Sequence, residues 1–274
     1  MARLDRLYLG TNTKMYKTIS DTVTFLTELR TLTEDIDRDK LELFVIPSFT
    51  ALSAAKKTVP GGEIKLGAQN MAWADEGQFT GEISPLMLKE IGIDIIEIGH
   101  SERRHVLGET DEDEKKKTAA AVKHGFTPLL CIGETLEQKN YGISNEILSM
   151  QLKIGLSMLS KEQAKQLWIA YEPVWAIGVN GIPADEGYAD EKHAVIKETL
   201  VTLFGEEVGR DIPVLYGGSV NNANAELLIQ KPNIDGLFIG RSAWNADNFN
   251  RIIRSVLPLF YDRKDRKGCE KNDK

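Results

Sequence analysis

The sequence predicts a closed (β/α)8 barrel forming a single domain, and three observations lead there. Short apolar runs alternate with helical patterns about eight times in one unbroken series. Most of these runs lack polar alternation, as parallel strands covered on both faces do. Polar motifs follow many different strands, whereas an open doubly wound sheet would gather them at one switch point, and no GxGxxG follows the first strand. No shift in composition marks a linker, so one domain over residues 1–262 is the simpler reading.

In chain order, an apolar run at residues 7–9 ends in the loop GTNTKMYKT, and a helical pattern begins at Ser20 with Val23, Phe25, Leu26 and Leu29 on one face. Residues 41–46 precede a helix at 50–59. Residues 64–68 precede a long loop and a helix at 85–91, and residues 93–98 precede a charged helix at 111–124. The second half repeats the order: 127–132 before 145–159, 167–171 before 190–204, 212–216 before 222–230, and 234–239 before 247–260. The charged tail, 263–274, has few apolar groups to offset ordering, so it is expected to be disordered or to extend the last helix.

Composition narrows the function classes. With 42% hydrophobic and 27% charged residues, the 274-residue chain can bury a sizeable core. A formal net charge of -7 argues against nucleic acid or an anionic membrane surface as a general partner. Cys131 and Cys269 make neither a disulfide framework nor a zinc motif. No segment is apolar enough for a signal peptide or a membrane span, which gives the expectation of a cytoplasmic protein.

Four stretches carry chemistry. AYEPVW ends an apolar strand on Glu172, then breaks on Pro173 and runs through Gly178, Asn180 and Gly181: a base on rigid scaffold beneath a flap, or a carboxylate paired with a nearby cation. EIGHSERRH sets His100 just past a strand end with Glu102, Arg103 and Arg104 behind it, suited to acid–base work or to a structural ion-pair cluster. GTNTKMYKT puts Asn12 and Lys14 in an irregular loop, where the lysine would meet an anion or simply face water. YGGSVN and IGRSAW lead towards helix N-termini, where backbone N–H groups at Ser219, Gly240 and Arg241 could converge on a phosphate. Glu97 and Glu172 also suggest a glycosidase-like acid pair, but that reading leaves the glycine loops unexplained.

In combination these motifs resemble the triosephosphate isomerase family from about residue 7 to 260: N-x-K after strand one, AQN at 68–70, FTGE at 79–82, GHSERR at 99–104, CIGE at 131–134, YEPVWAIG at 171–178 and YGGSV at 216–220. The resemblance implies a TIM barrel without metal or organic cofactor, acting on a small phosphorylated sugar. Glu172 would be the base, His100 the electrophile that polarises the carbonyl, Lys14 and Asn12 the groups that hold the enediolate, and Glu102 a support behind them. Residues 173–184 would form a lid, and Gly178, Ser219 and Gly240 would donate to the phosphate, with Arg241 at its rim. The loop bearing Asn70, Phe79, Thr80, Gly81 and Glu82 would insert into a second subunit of a homodimer. The family default interconverts dihydroxyacetone phosphate and D-glyceraldehyde 3-phosphate, in glycolysis and gluconeogenesis; a phosphosugar-binding barrel without catalysis is the rival from another class.

The chain departs from the family pattern at Thr13, commonly tryptophan, at Tyr16, commonly asparagine, in the lid tip GVNGIPA, and at Arg241, commonly glycine. VNGIPA together with GRSAW resembles the branch that interconverts L-erythrulose 1-phosphate and D-erythrulose 4-phosphate. The tetrulose carries one more hydroxymethyl group, on the carbon that loses its proton, so the same base and phosphate grip would serve either substrate.

Overall fold

The computed structural model describes residues 3–178 and 181–272. Eight parallel strands close into a barrel in sequence order: β1 Leu7–Asn12, β2 Leu41–Ile46, β3 Lys65–Ala68, β4 Ile95–Ile98, β5 Thr127–Ile132, β6 Trp168–Tyr171, β7 Val214–Tyr216 and β8 Gly236–Ile239. Closure is made by β1 against β8, with Tyr8 opposite Gly236 and Thr11 opposite Ile239.

The continuous apolar runs have a physical cause. Alternate residues of each strand feed two separate cores. Leu7, Leu9, Leu41, Leu43 and Val45 pack outwards under the helices, while Tyr8, Phe44, Ile46, Ile95, Leu129, Trp168, Leu215 and Phe238 fill the barrel interior. Aromatic rings plug that interior: Phe44 lies 5.6 Å from Phe238 and 5.4 Å from Trp168, and Trp168 meets Tyr8 edge-on at 5.1 Å.

Helix starts follow from local chemistry. Thr18 with Asp21, Thr110 with Asp113, Thr135 with Gln138, and Ser160 with Gln163 each form a reciprocal capping box that satisfies backbone N–H groups of the first turn. The longest helix, Ala246–Asn272, runs without a break through the charged C-terminal stretch. Among the described residues no helix is long and apolar enough to cross a membrane.

One local expectation is corrected, and one helix is added. Asn12 lies in no irregular loop: β1 continues through it, paired with Ile46, and the Thr13 N–H donates to the Ile46 carbonyl at 3.1 Å. The polar run GTN was misleading because strand pairing satisfies its backbone whatever its side chains do. A further helix, Ser101–His105, starts directly after His100, so the arginines of SERRH sit in a helical turn.

Candidate active site

At the C-terminal end of the strands a cavity of about 410 Å³ is lined by Asn12, Lys14, His100, Glu102 and Glu172 on one side, and by Gly178, Ser219, Gly240 and Arg241 on the other. The nine residues expected to act on substrate therefore share one opening. Eight strand ends converge there, which is why motifs far apart in sequence meet.

Glu172 follows the last residue of β6, and its N–H extends the ladder to the Ile132 carbonyl at 2.7 Å. The neighbouring strand ends press on it. A Cβ at Gly133 would stand 1.9 Å from the Glu172 carbonyl oxygen, and one at Gly217 would stand 2.9 Å from its Cγ, so only glycine leaves room at either place. The carboxylate is buried, accepts from the Ser101 N–H at 3.3 Å, and lies 3.7 Å from His100 Nε2. Among the described residues it makes no salt bridge with a lysine or arginine, so the paired-cation reading does not hold.

His100 caps the short helix Ser101–His105, its Nδ1 accepting the Glu102 N–H at 3.1 Å. An accepting Nδ1 leaves the proton of the neutral ring on Nε2, the nitrogen that faces Glu172. Lys14 has φ 52°, a left-handed conformation uncommon for a side chain of this length, held by its own N–H bonding Asn12 Oδ1 at 2.6 Å. Lys14 Nζ reaches Glu102 at 2.6 Å, so Glu102 fixes the lysine head beside the cavity.

The glycine loops are bound to each other by asparagines. Asn224 donates to the Ser219 carbonyl at 2.8 Å, Asn222 donates to Asn248 at 2.8 Å, and Asn248 donates to the Ser242 carbonyl at 2.6 Å. The loops after β7 and β8 thus form one rigid cradle with Gly240 open to the cavity. At the foot of the segment expected to form the lid, Glu134 of the CIGE motif accepts from Trp175 Nε1 at 2.9 Å and from the Tyr188 hydroxyl at 2.8 Å. Val179 and Asn180, at the tip of the expected lid, lie outside the described residues.

The expected subunit loop stands apart from this cavity. Asn70 is buried in its own chain, accepting from Lys117 Nζ at 3.0 Å and donating to Glu109 at 3.3 Å. The tip, with Phe79, Thr80, Gly81 and Glu82, is exposed, and Phe79 lies edge-on to Trp73 at 6.0 Å.

Three further residues make contacts that the sequence reading did not assign. Gln69 Nε2 donates to Asn12 Oδ1 at 3.1 Å and to the Lys14 carbonyl at 2.8 Å. Trp244 Nε1 donates to the Asn12 carbonyl at 2.8 Å, and its ring lies 4.6 Å from that of Tyr16. Glu97, fully buried on β4, accepts from Asn12 Nδ2 at 2.7 Å. Burial, then the neighbouring Glu172 carboxylate, pushes the Glu97 carboxyl well above the usual carboxylate range. Because Glu97 has no surface on the cavity, the glycosidase-like pair fails. Glu97, Cys131 and Glu172 bring their donor atoms within 4.8 Å of one another, but a cation there would require a carboxyl and a thiol that burial keeps protonated to ionise.

A sequence model of the triosephosphate isomerase family matches residues 7–256. A protein of Rhizobium etli named L-erythrulose-1-phosphate isomerase is 49% identical over 252 residues, covering 91% of this chain and 92% of that protein. Proteins of the same name from Rhizobium meliloti and Brucella abortus biovar 1 are 48% and 47% identical, each covering 91% of this chain and 96% of their own length. Since the family match runs from the first residue of β1 into the final helix, the chain belongs to the triosephosphate isomerase family and is an isomerase of the aldose–ketose class.

Proposed function

We propose that this enzyme interconverts L-erythrulose 1-phosphate and D-erythrulose 4-phosphate in preference to the triose phosphates. The observation that carries the substrate assignment is the similarity, over nine-tenths of the chain, to proteins named for the tetrulose phosphate. The remodelled wall of the cavity supports it: Tyr16, Arg241, Ser242 and Trp244 line the same opening as Glu172.

In this reading Glu172 removes the proton from C3 of L-erythrulose 1-phosphate, and the C–H electron pair forms the C2–C3 double bond of an enediolate. His100 Nε2–H, the Asn12 amide and the Lys14 ammonium stabilise the oxygen at C2 as it gains charge. Glu172 then returns the proton to C2 while His100 passes the hydroxyl proton from the oxygen at C3 to the oxygen at C2, so that C3 becomes the carbonyl of the product and C2 carries the new hydroxyl. Gly178, Ser219 and Gly240 donate N–H groups to the phosphate, and Arg241 adds charge at its rim. The flap at 173–184 closes over the enediolate and keeps water away. A second copy of the chain receives the loop tip at 79–82, which gives a homodimer.

The test compares kcat/KM for L-erythrulose 1-phosphate and D-glyceraldehyde 3-phosphate with one enzyme preparation. The tetrulose should win by at least about 10², and by about 10⁴ or more where a buried polar partner meets the extra hydroxyl. A preference for the triose would return the enzyme to the family default, and turnover of neither would favour the non-catalytic barrel.

A further inference from the structure

Glu97 is a carboxyl group in the barrel interior that the chemistry above does not use. It sits third in the strand IIEI, on β4, where Ile95 and Ile98 are fully buried and Glu97 itself has no accessible surface. Placing a carboxyl there is costly unless its hydrogen bonds return the loss. Among the described residues its hydrogen-bond partners are two: Asn12 Nδ2 at 2.7 Å and, more weakly, Cys131 Sγ at 4.0 Å.

The Asn12 amide is tightly bound. Its oxygen accepts from the Lys14 N–H at 2.6 Å and from Gln69 Nε2 at 3.1 Å, filling both lone pairs. Its nitrogen has two protons, of which Glu97 takes one. The other is left for the cavity that Asn12 lines. Glu97 thus decides which way the amide faces and which donor remains.

We propose that Glu97 is a positioning residue of the isomerisation, holding the Asn12 amide from beneath so that its second N–H is aimed at the substrate oxygen. Glu97 does not touch substrate; it acts through Asn12. The elevated affinity of the buried carboxyl for its proton suits the role, because a neutral Glu97 still accepts from Asn12. The inference rests on the isomerase reading, with Asn12 as a donor to the reacting oxygens.

A double-mutant cycle tests it, run on whichever ketose phosphate the parent turns over. Glu97→Leu keeps bulk and removes the acceptor, and should lower kcat about 10- to 100-fold with KM little changed. In an Asn12→Ala background the same substitution should cost less than about threefold, because the residue through which it acts is gone. Glu97→Gln keeps an acceptor oxygen and should recover at least about tenfold of the loss. Affinity for inorganic phosphate should be the same in the parent and in the Glu97 variants that keep Asn12.

Full kcat in Glu97→Leu, or losses that multiply in the double variant, would overturn the proposal. If Glu97→Leu does not fold, Glu97→Asp takes its place: withdrawing the acceptor should slow turnover more than Glu97→Gln does, and equal loss in both would count against the idea. A parent that turns over neither sugar defeats the isomerase reading itself, whereas an active parent with multiplicative losses defeats only the role of Glu97.

Discussion

The barrel has a cavity at each end, similar in size and opposite in what is done with charge. At the N-terminal end about 390 Å³ is enclosed by Arg3, Arg6, Lys65 and Lys165 with Glu42, Tyr8 and Trp168. There the charges are used on one another: Glu42 meets Arg6 at 2.7 Å and Lys65 at 3.2 Å, Lys165 meets Glu162 at 2.7 Å, and Arg3 donates to the Leu167 carbonyl at 2.5 Å. At the C-terminal end Lys14 pairs with Glu102, but among the described residues Glu172 has only a backbone N–H and an imidazole for company, and glycines leave the backbone open. Saturated charge stabilises a fold, and unsaturated charge is available to a substrate. The aromatic plug of Tyr8, Phe44, Trp168 and Phe238 lies between the two ends.

Perturbing each end should therefore move different observables. The largest effect is expected at the open end: Glu172→Asp should lower kcat on the order of 10²–10⁴-fold, with a much smaller change in KM, because the base withdraws while the phosphate contacts stay. Steady-state kinetics checks this, and equal turnover would remove Glu172 as the base. In the plug, Trp168→Ala should cost about 3–5 kcal/mol in denaturant unfolding. The fraction still folded should keep its kcat, since Trp168 is absent from the C-terminal cavity.

His193 lies behind the barrel wall, 5.8 Å from the ring of Tyr171 and fully buried, which pushes its pKa down to about 3. The unfolded chain binds the proton near pH 6.5 and the folded chain resists it. Stability is thus fully present above pH 6.5 and is lost as pH falls towards 3, on the order of 4 kcal/mol at the lower limit. An unfolding series from pH 7 to 4 should show this slope and His193→Gln should flatten it; an unchanged slope would assign acid loss to other groups. The smallest effect is expected at the closed end, where Glu42→Gln should cost about 1–3 kcal/mol of stability by leaving Arg6 and Lys65 short of a partner. A fall in kcat/KM for that variant, with the fold intact, would break the contrast between the ends.

How much of this was legible in advance depends on the residue. Glu172 and His100 were readable because each stands where an apolar strand stops, and a parallel strand can stop only at the barrel rim. Glu97 was visible as a charge inside an apolar run, yet it suggested the wrong partnership. Sequence shows that a strand buries a carboxyl but not which neighbouring strand supplies its partner. Asn12 and Glu97 are 85 positions apart. Gln69 and Trp244 fell within the AQN and GRSAW motifs but gave no sign of their contacts, since a glutamine after a strand and a tryptophan after a glycine loop meet Asn12 only once the barrel closes.

The sequence by itself determined the eight strand–helix units, the rim positions of Glu172 and His100 and the glycine loops, because local periodicity, caps and chain breaks are written in neighbouring residues. Only the tertiary structure decided that Asn12 is a strand residue held on three sides, that the asparagine contacts unite the last two loops, and that Glu172 has no lysine or arginine partner among the described residues. Those outcomes depend on contacts between segments far apart in the chain, and they exist only once β8 has met β1.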